Sequence, residues 1–385
     1  MKIPLKYNLR SLLVRWVGTL MTAIGIGLTV AIFIVMNALV NGLDSTFIET
    51  GHENHLVVIR QGSLNESNSY FDRSLYDTVR LLEGVARDAA GEPLASGEIT
   101  VIINHPRLTG ESSNVLIRGV SEMGFKLRPE VKITAGRKFR EGLRELVVSE
   151  SLSKRFKDMQ LGKSIHIGRS DWRVAGLLQA GGTAYDSEIW AGYQDVAQEW
   201  DRPIYSSIVV QAVDAQAANR LKKRIEDDRR IHLQAFDQKA YFREQTVSSI
   251  GIKALGFFIA VVMGIGSCFA AMNMMYSAVL GRIKEVGTLR ALGFKRRSIL
   301  SSFLVESVIL ALIGGVLGCL MALPLHGLST GTANFMSFSE VLFHFRITPS
   351  ILLKGLAFAA VVGVLGGILP ARRAARIRLV EVLRD

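Results

Sequence analysis

Few residues in this 385-residue chain have the types and spacing that chemistry requires. Gly162, Lys163 and Ser164 match the end of a phosphate-cradling loop, where backbone N–H groups and a lysine hold phosphate oxygens. The first glycine of such a loop belongs at position 157, which is Lys157, and a strand-like run follows where a helix should open. His52 and His55 stand in HENH, without the i, i+4 spacing that puts two zinc ligands on one helix face. No nucleophile elbow or clustered carboxylate motif stands outside the apolar runs. Cys268 and Cys319 both lie inside such runs, so neither a disulfide framework nor a cysteine metal site fits the polar part. The chain is expected to hold no catalytic residue, cofactor or metal of its own.

A different stretch stands out by composition. EVGTLRALGF, residues 285–294, joins two long apolar runs and is followed at once by Lys295, Arg296 and Arg297. It is built of helix formers and small residues, and it places Leu289 where a polar connection belongs. A short helix is expected there.

The surrounding elements locate it. The chain is 49% hydrophobic and only 21% charged, with a mean hydropathy of +0.28, too apolar for an ordinary soluble protein. Val17–Val40 carries no charge, Ala254–Gly281 follows, Ser298–Leu328 has Glu306 as its only charge, and Pro349–Leu369 has Lys354 near its start. Each can cross about 30 Å of hydrocarbon as a helix. The net charge of +12 lies wholly beside these runs, as +4 in residues 1–15, +5 in 281–297 and +3 in 371–385. Positive charge so placed orients a membrane protein and gives no sign of nucleic acid. The first run is too long for a signal peptide and reads as an uncleaved anchor.

The expected fold is therefore an α-helical membrane protein with four transmembrane helices and a mixed α+β extracytoplasmic domain inserted between helices 1 and 2. A cytoplasmic amphipathic helix (1–16) leads into the first span (17–40). The external domain (41–249) ends in a stalk that leads into the second span (250–280). A cytoplasmic loop (281–297), the third span (298–328), a short external loop (329–348), the fourth span (349–370) and a basic tail (371–385) complete the layout. Strands are expected at 55–60, 99–104, 114–120, 145–150, 172–178 and 206–213. Helices are expected at 150–158, 193–200 and 214–228, the last capped by Asp214. Residues 61–70 and 88–98 read as loops, and the domain core as two parts with an interruption around 105–145. No strong breaker separates Gln238 from Leu280; helical throughout, that stretch would extend about 65 Å. Gly314 with Gly318, and Gly363 with Gly367, have the small-xxx-small spacing of close helix packing. Glu306 alone is an ionisable group deep in a span, fewer than an ion-coupled carrier needs.

RIKEVGTLRALGFKRRSIL (282–300) and GILPARRAARIRLVEVLR (367–384), with ELVVSESLSKRFKDMQLGKSIHIGRSDWRVAGLL (145–178), resemble the FtsX-like, MacB-type permease subunits of ABC transporters. The resemblance covers essentially the whole chain and is strongest in its last 140 residues. It implies a bacterial inner-membrane protein with both termini cytoplasmic, working by mechanotransmission. Residues 285–294 would be a coupling helix docking on a separate cytoplasmic ABC ATPase, which itself uses ATP and Mg. Leu289, Ala291 and Leu292 would then offer apolar contact within a rim of Arg290 and Lys295, with Glu285, Thr288, Gly293 and Phe294 completing the surface. A second permease copy, the lipid bilayer and a periplasmic adaptor are the other implied partners. The activity implied is export or extraction of a substrate. Mechanical control of an external protein such as a cell-wall hydrolase is the alternative.

Overall fold

The computed structural model describes residue 14 and residues 16–245, 248–333 and 339–376. Residues 1–13 and 15 of the amphipathic helix expected at 1–16, the end of the basic tail and the stalk's join at 246–247 lie outside the described residues. The chain divides into a helical unit, Met1–Asn41, Gly251–Leu328 and Phe345–Asp385, and a sheet unit, Gly42–Ile250 and Ser329–His344.

Along the chain come α1 (Trp16–Thr50), β1 (His55–Arg60), β2 (Phe71–Asp72), α2 (Ser74–Arg80), β3 (Ala95–Pro106), β4 (Ser112–Val120) and α3 (Glu122–Lys126). Next are β5 (Lys132–Gly136), β6 (Glu145–Ser149), α4 (Glu150–Ser153), β7 (Ser164–Ile167), β8 (Ser170–Gln179), β9 (Glu188–Gly192) and α5 (Tyr193–Glu199). They are followed by β10 (Ile204–Tyr205), β11 (Ser207–Gln211), α6 (Ala215–Asp227), β12 (Leu233–Asp237) and α7 (Gln238–Gln245). The last are α8 (Ser248–Leu280), α9 (Ile283–Ala291), α10 (Arg296–Ala322), β13 (Ser329–Ala333), β14 (Glu340–His344) and α11 (Pro349–Ala375).

In the helical unit, α1, α8, α10 and α11 contain four segments long and apolar enough to cross a membrane. Hydrocarbon offers no partner to a backbone N–H, so such runs must satisfy themselves as helices. Ile26, Val30 and Ile34 of α1 pack with Ala271 of α8, Ala311 of α10, and Ile351 and Ala359 of α11. The few polar side chains pair internally: the Thr29 and Ser267 hydroxyls are 2.6 Å apart, and Ser307 donates to the Gly363 carbonyl at 2.7 Å. α1 continues past residue 40 to Thr50, with no proline to stop it and with Leu43 and Phe47 buried.

The sheet unit is built on ten strands in the order β12-β1-β11-β3-β4-β9-β6-β8-β5, with β7 on β8. β4–β9 and β6–β8 are parallel; the other pairs are antiparallel. β3 carries the sheet across its middle, since Ala95–Glu98 pairs with β11 and Ile99–Pro106 with β4. One cluster of buried side chains runs from Leu56 and Ile208 through Ile99 and Ile117 to Val148 and Trp172, and a second group packs Phe125, Trp190, Tyr185 and Phe242 ring against ring.

Several local expectations need correction. In 61–70, the Asn65 side chain accepts from Asn68 N–H at 2.9 Å to cap a turn of 3₁₀ helix, and Glu66 is buried. The loop at 88–98 ends where β3 begins, at Ala95. The helix expected at 150–158 stops at Ser153, because Phe156 turns into the core and Asp158 takes φ +55°. β5, β7, β9 and β12 are strands that the sequence reading does not include. α6 begins as expected, with Asp214 accepting from Ala217 N–H at 2.7 Å. The external loop expected at 329–348 is instead largely a hairpin, β13 with β14, whose Glu340, Val341, Leu342 and Phe343 are buried in the sheet unit.

Candidate functional site

α9 is short, and its two faces differ. Glu285 lies in its first turn and Arg290 in its last, each at the end where its charge complements the helix dipole. It ends as Gly293 N–H donates to Arg290 O at 3.1 Å and Phe294 N–H to Leu289 O at 3.2 Å; Gly293 takes φ +92°, open to glycine at little cost. On the inner face Val286 is buried with Met275 and Val279 of α8, Ile299 and Phe303 of α10, and Ala371 and Ala374 of α11. Arg290 Nη1 donates to Ala375 O at 3.4 Å. Arg282, one residue before the helix, reaches Glu306 at 3.2 Å and Glu285 at 3.2 Å. The helix is thus seated on the ends of three others.

The opposite face is open. Glu285, Thr288, Ala291, Leu292, Gly293 and Lys295 are exposed, Leu292 at 68%, while Leu289 and Phe294 are half-buried. Leu292, not Leu289, is the most exposed apolar side chain here.

Glu306 is buried in α10 and meets Arg282, a pairing that requires α9 to fold back against α10. Gly314 and Gly318 face α1, where a Cβ would lie 2.8 Å from Ala23 O and 2.6 Å from Gly27 O. Gly363 and Gly367 face α10, where a Cβ would meet Ala311 Cβ at 2.7 Å and Ser307 Cβ at 2.5 Å. Only a hydrogen fits at these crossings.

The sheet unit holds a charged cluster that sequence reasoning missed. Arg118 of β4 donates to Glu98 at 2.8 Å, to both oxygens of Glu66 at 3.0 and 3.1 Å, and to both of Glu188 at 2.8 Å. Arg128 donates to Glu98 at 2.6 and 2.8 Å, and its guanidinium lies 4.8 Å from the Tyr185 ring centre. Burial would raise the Glu66 carboxyl, but Arg118 and the Ser207 hydroxyl outweigh it and hold it below its usual value. Burial pushes the Tyr185 phenol up to about 12 against the pull of both arginines. The adjoining cavity, about 40 Å³, is lined by Glu66, Arg118, Glu188 and Glu340. It has room for water but falls well short of the roughly 300 Å³ of small-molecule sites. The one available signal was charge inside apolar strand runs, as with Glu98 and Arg118.

The other chemical candidates resolve into structure. Gly162, at φ +81°, turns the chain toward β7, and Val174 N–H donates to Lys163 O at 2.9 Å. His52 Nε2 lies 3.0 Å from both oxygens of Glu130. Among the described residues no three His, Cys, Asp or Glu are grouped to hold a metal.

Residues 19–228, more than half of the chain, match the model of the MacB-like periplasmic core domain, and residues 257–379 match the FtsX-like permease C-terminal model. The chain belongs to the MacB/FtsX-type family of ABC permeases. It is 27% identical to the macrolide export ATP-binding/permease protein MacB of Pasteurella multocida (strain Pm70), over 72% of this chain and 44% of that one. The MacB of Bartonella henselae is 25% identical over 95% of this chain and 57% of its own length. The uncharacterized ABC transporter permease YknZ of Bacillus subtilis (strain 168) is 26% identical over 71% of each. This permease thus spans about half the length of the MacB relatives it matches. Among solved structures, the periplasmic region of MacB from Actinobacillus actinomycetemcomitans aligns with 52% of the chain and 95% of its own at a TM-score of 0.39 and 14% identity. The permease is a membrane protein with an extracytoplasmic domain, the sheet unit, whose charged cluster lies in the MacB-like match. Its α9, Glu306 and the paired glycines lie in the FtsX-like match.

Proposed function

We propose that this permease couples ATP hydrolysis by a separate cytoplasmic ABC ATPase to movement of its extracytoplasmic domain, for export or extraction of a substrate. The observation that carries the reading is α9: Val286 and Arg290 seat one face, while Thr288, Ala291 and Leu292 are presented on the other. An exposed apolar side chain within a rim of Glu285 and Lys295 has the composition of a docking surface. In this layout 281–297 and both termini are cytoplasmic, and 17–40, 250–280, 298–328 and 349–370 cross the inner membrane. Residues 1–16 and 371–385 lie at its cytoplasmic face. The partner ATPase supplies the ATP and Mg sites. A second permease copy completes the pair that two ATPase subunits would drive, and a periplasmic adaptor receives the substrate.

The test is purification of the tagged chain from its native membrane in mild detergent, with co-purifying proteins identified by mass spectrometry. An ABC ATPase is expected, and Leu292→Asp should reduce its recovery tenfold or more by placing a charge in the interface. Leu292 is preferred to Leu289, whose half-buried side chain also packs within its own chain. Equal recovery with Leu292→Asp would reject this face. A co-purifying wall hydrolase in place of an adaptor would favour mechanical regulation over export.

A further inference from the structure

We infer that the β13–β14 hairpin is a working part of the extracytoplasmic domain and that Glu340 is the positioning residue that clamps it there, so that α10 and α11 act on the domain as well as α1 and α8. The mechanical half of this inference rests on the proposed permease function. The clamp itself does not.

An isolated two-stranded hairpin is marginal in water, so this one must be held by what it touches. Glu340 is buried, and its carboxylate lies between two arginines of the sheet unit: Oε2 accepts from Arg107 Nη2 at 2.5 Å, and Oε1 is 2.8 Å from Arg155 Nη2. Those arginines sit on loops tied to each other, because Leu108 N–H donates to Arg155 O at 2.8 Å and Lys157 N–H to Pro106 O at 3.0 Å. Leu342 belongs to the core of the sheet unit, and its N–H donates to the Ser187 hydroxyl at 2.7 Å. Gly331 packs against the side-chain ends of Glu340 and Arg155, which a Cβ there would displace. Gly42 of α1 meets the His344 carbonyl so closely that no Cβ would fit. A charge, an apolar anchor and one close backbone approach thus converge on Glu340–His344.

The hairpin is also joined to both helices by short connections. Phe345 N–H donates to Leu328 O at 3.0 Å and Gly327 N–H to Phe345 O at 3.0 Å, so the ladder runs on beyond the strands. α11 opens four residues after Phe345, at Pro349. The hairpin is thus continuous in the chain with α10 on one side and α11 on the other. Neutralising Glu340 leaves two arginines facing a buried position with no counter-charge, and that should release the strand.

The test is hydrogen exchange with mass spectrometry on the full chain in lipid nanodiscs. Glu340→Gln should speed exchange across 340–344 at least tenfold and leave α9 unchanged. The charge-swapped triple variant Glu340→Arg, Arg107→Glu, Arg155→Glu should recover at least half of the lost protection. A wild-type rate in Glu340→Gln overturns the clamp. With the ATPase bound, ATP should alter exchange in β1 of the wild type, and Glu340→Gln should at least halve that change while hydrolysis continues. An undiminished change overturns the role of α10 and α11 in driving the domain. Failure of the wild type to bind any ATPase would count against the permease function instead, leaving the exchange result on the clamp to stand by itself.

Discussion

At the scale of single residues, Arg118 gathers Glu66, Glu98 and Glu188 around one guanidinium inside the extracytoplasmic domain. Carboxylates in such a place are tolerable only while their counter-charge is present. Arg118→Met should therefore cost about 3–5 kcal/mol of stability, read as a lowered melting temperature and faster proteolysis of the domain. A surface arginine such as Arg220 provides the control. His55 offers a separate pH test. Burial first, then His52 and Arg128, lower its pKa from 6.5 to about 4, with Gln211 and Glu130 opposing. The unfolded chain then binds the proton that the folded chain refuses. Stability is full above pH 6.5 and falls as pH drops toward 4, by about 3 kcal/mol. His55→Gln should flatten melting temperature against pH over that window. A variant that keeps the wild-type slope would show that other groups set it.

Among the elements, what could be read from the sequence follows from range. The four spans were legible because an apolar run of about 20 residues needs no distant partner to become a helix. The α6 cap was legible for the same reason, as Asp214 and Ala217 are neighbours. α9 was visible as helix formers in a polar connection, but its orientation was not. Which of Leu289 and Leu292 faces out depends on Val286 meeting Ala371 and Ala374, some 85 residues away. The charged cluster was illegible because its five members are scattered from residue 66 to residue 188, on three strands, a 3₁₀ turn and a loop that only the folded chain brings together. The hairpin was hidden likewise, since nothing in EVLFH announces that its glutamate is answered by Arg107 and Arg155.

For the whole molecule, the proposed function assigns drive to the helical unit and load to the sheet unit. One short helix is seated by its inner face on α8, α10 and α11, and the chain passes between the helical and sheet units four times. The spans carry few polar groups, and the buried Glu306 is paired with Arg282. On the proposed function, force along the helices is expected in place of passage of a polar substrate between them. The most direct test is ATP-driven change in the distance between spin labels on the extracytoplasmic domains of the reconstituted permease–ATPase complex, with and without Gly-Pro inserted between Gln245 and Thr246. Mechanical coupling requires a distance change in the wild type that the insertion removes while ATPase binding and hydrolysis persist. The same distance change with the insertion in place would contradict it.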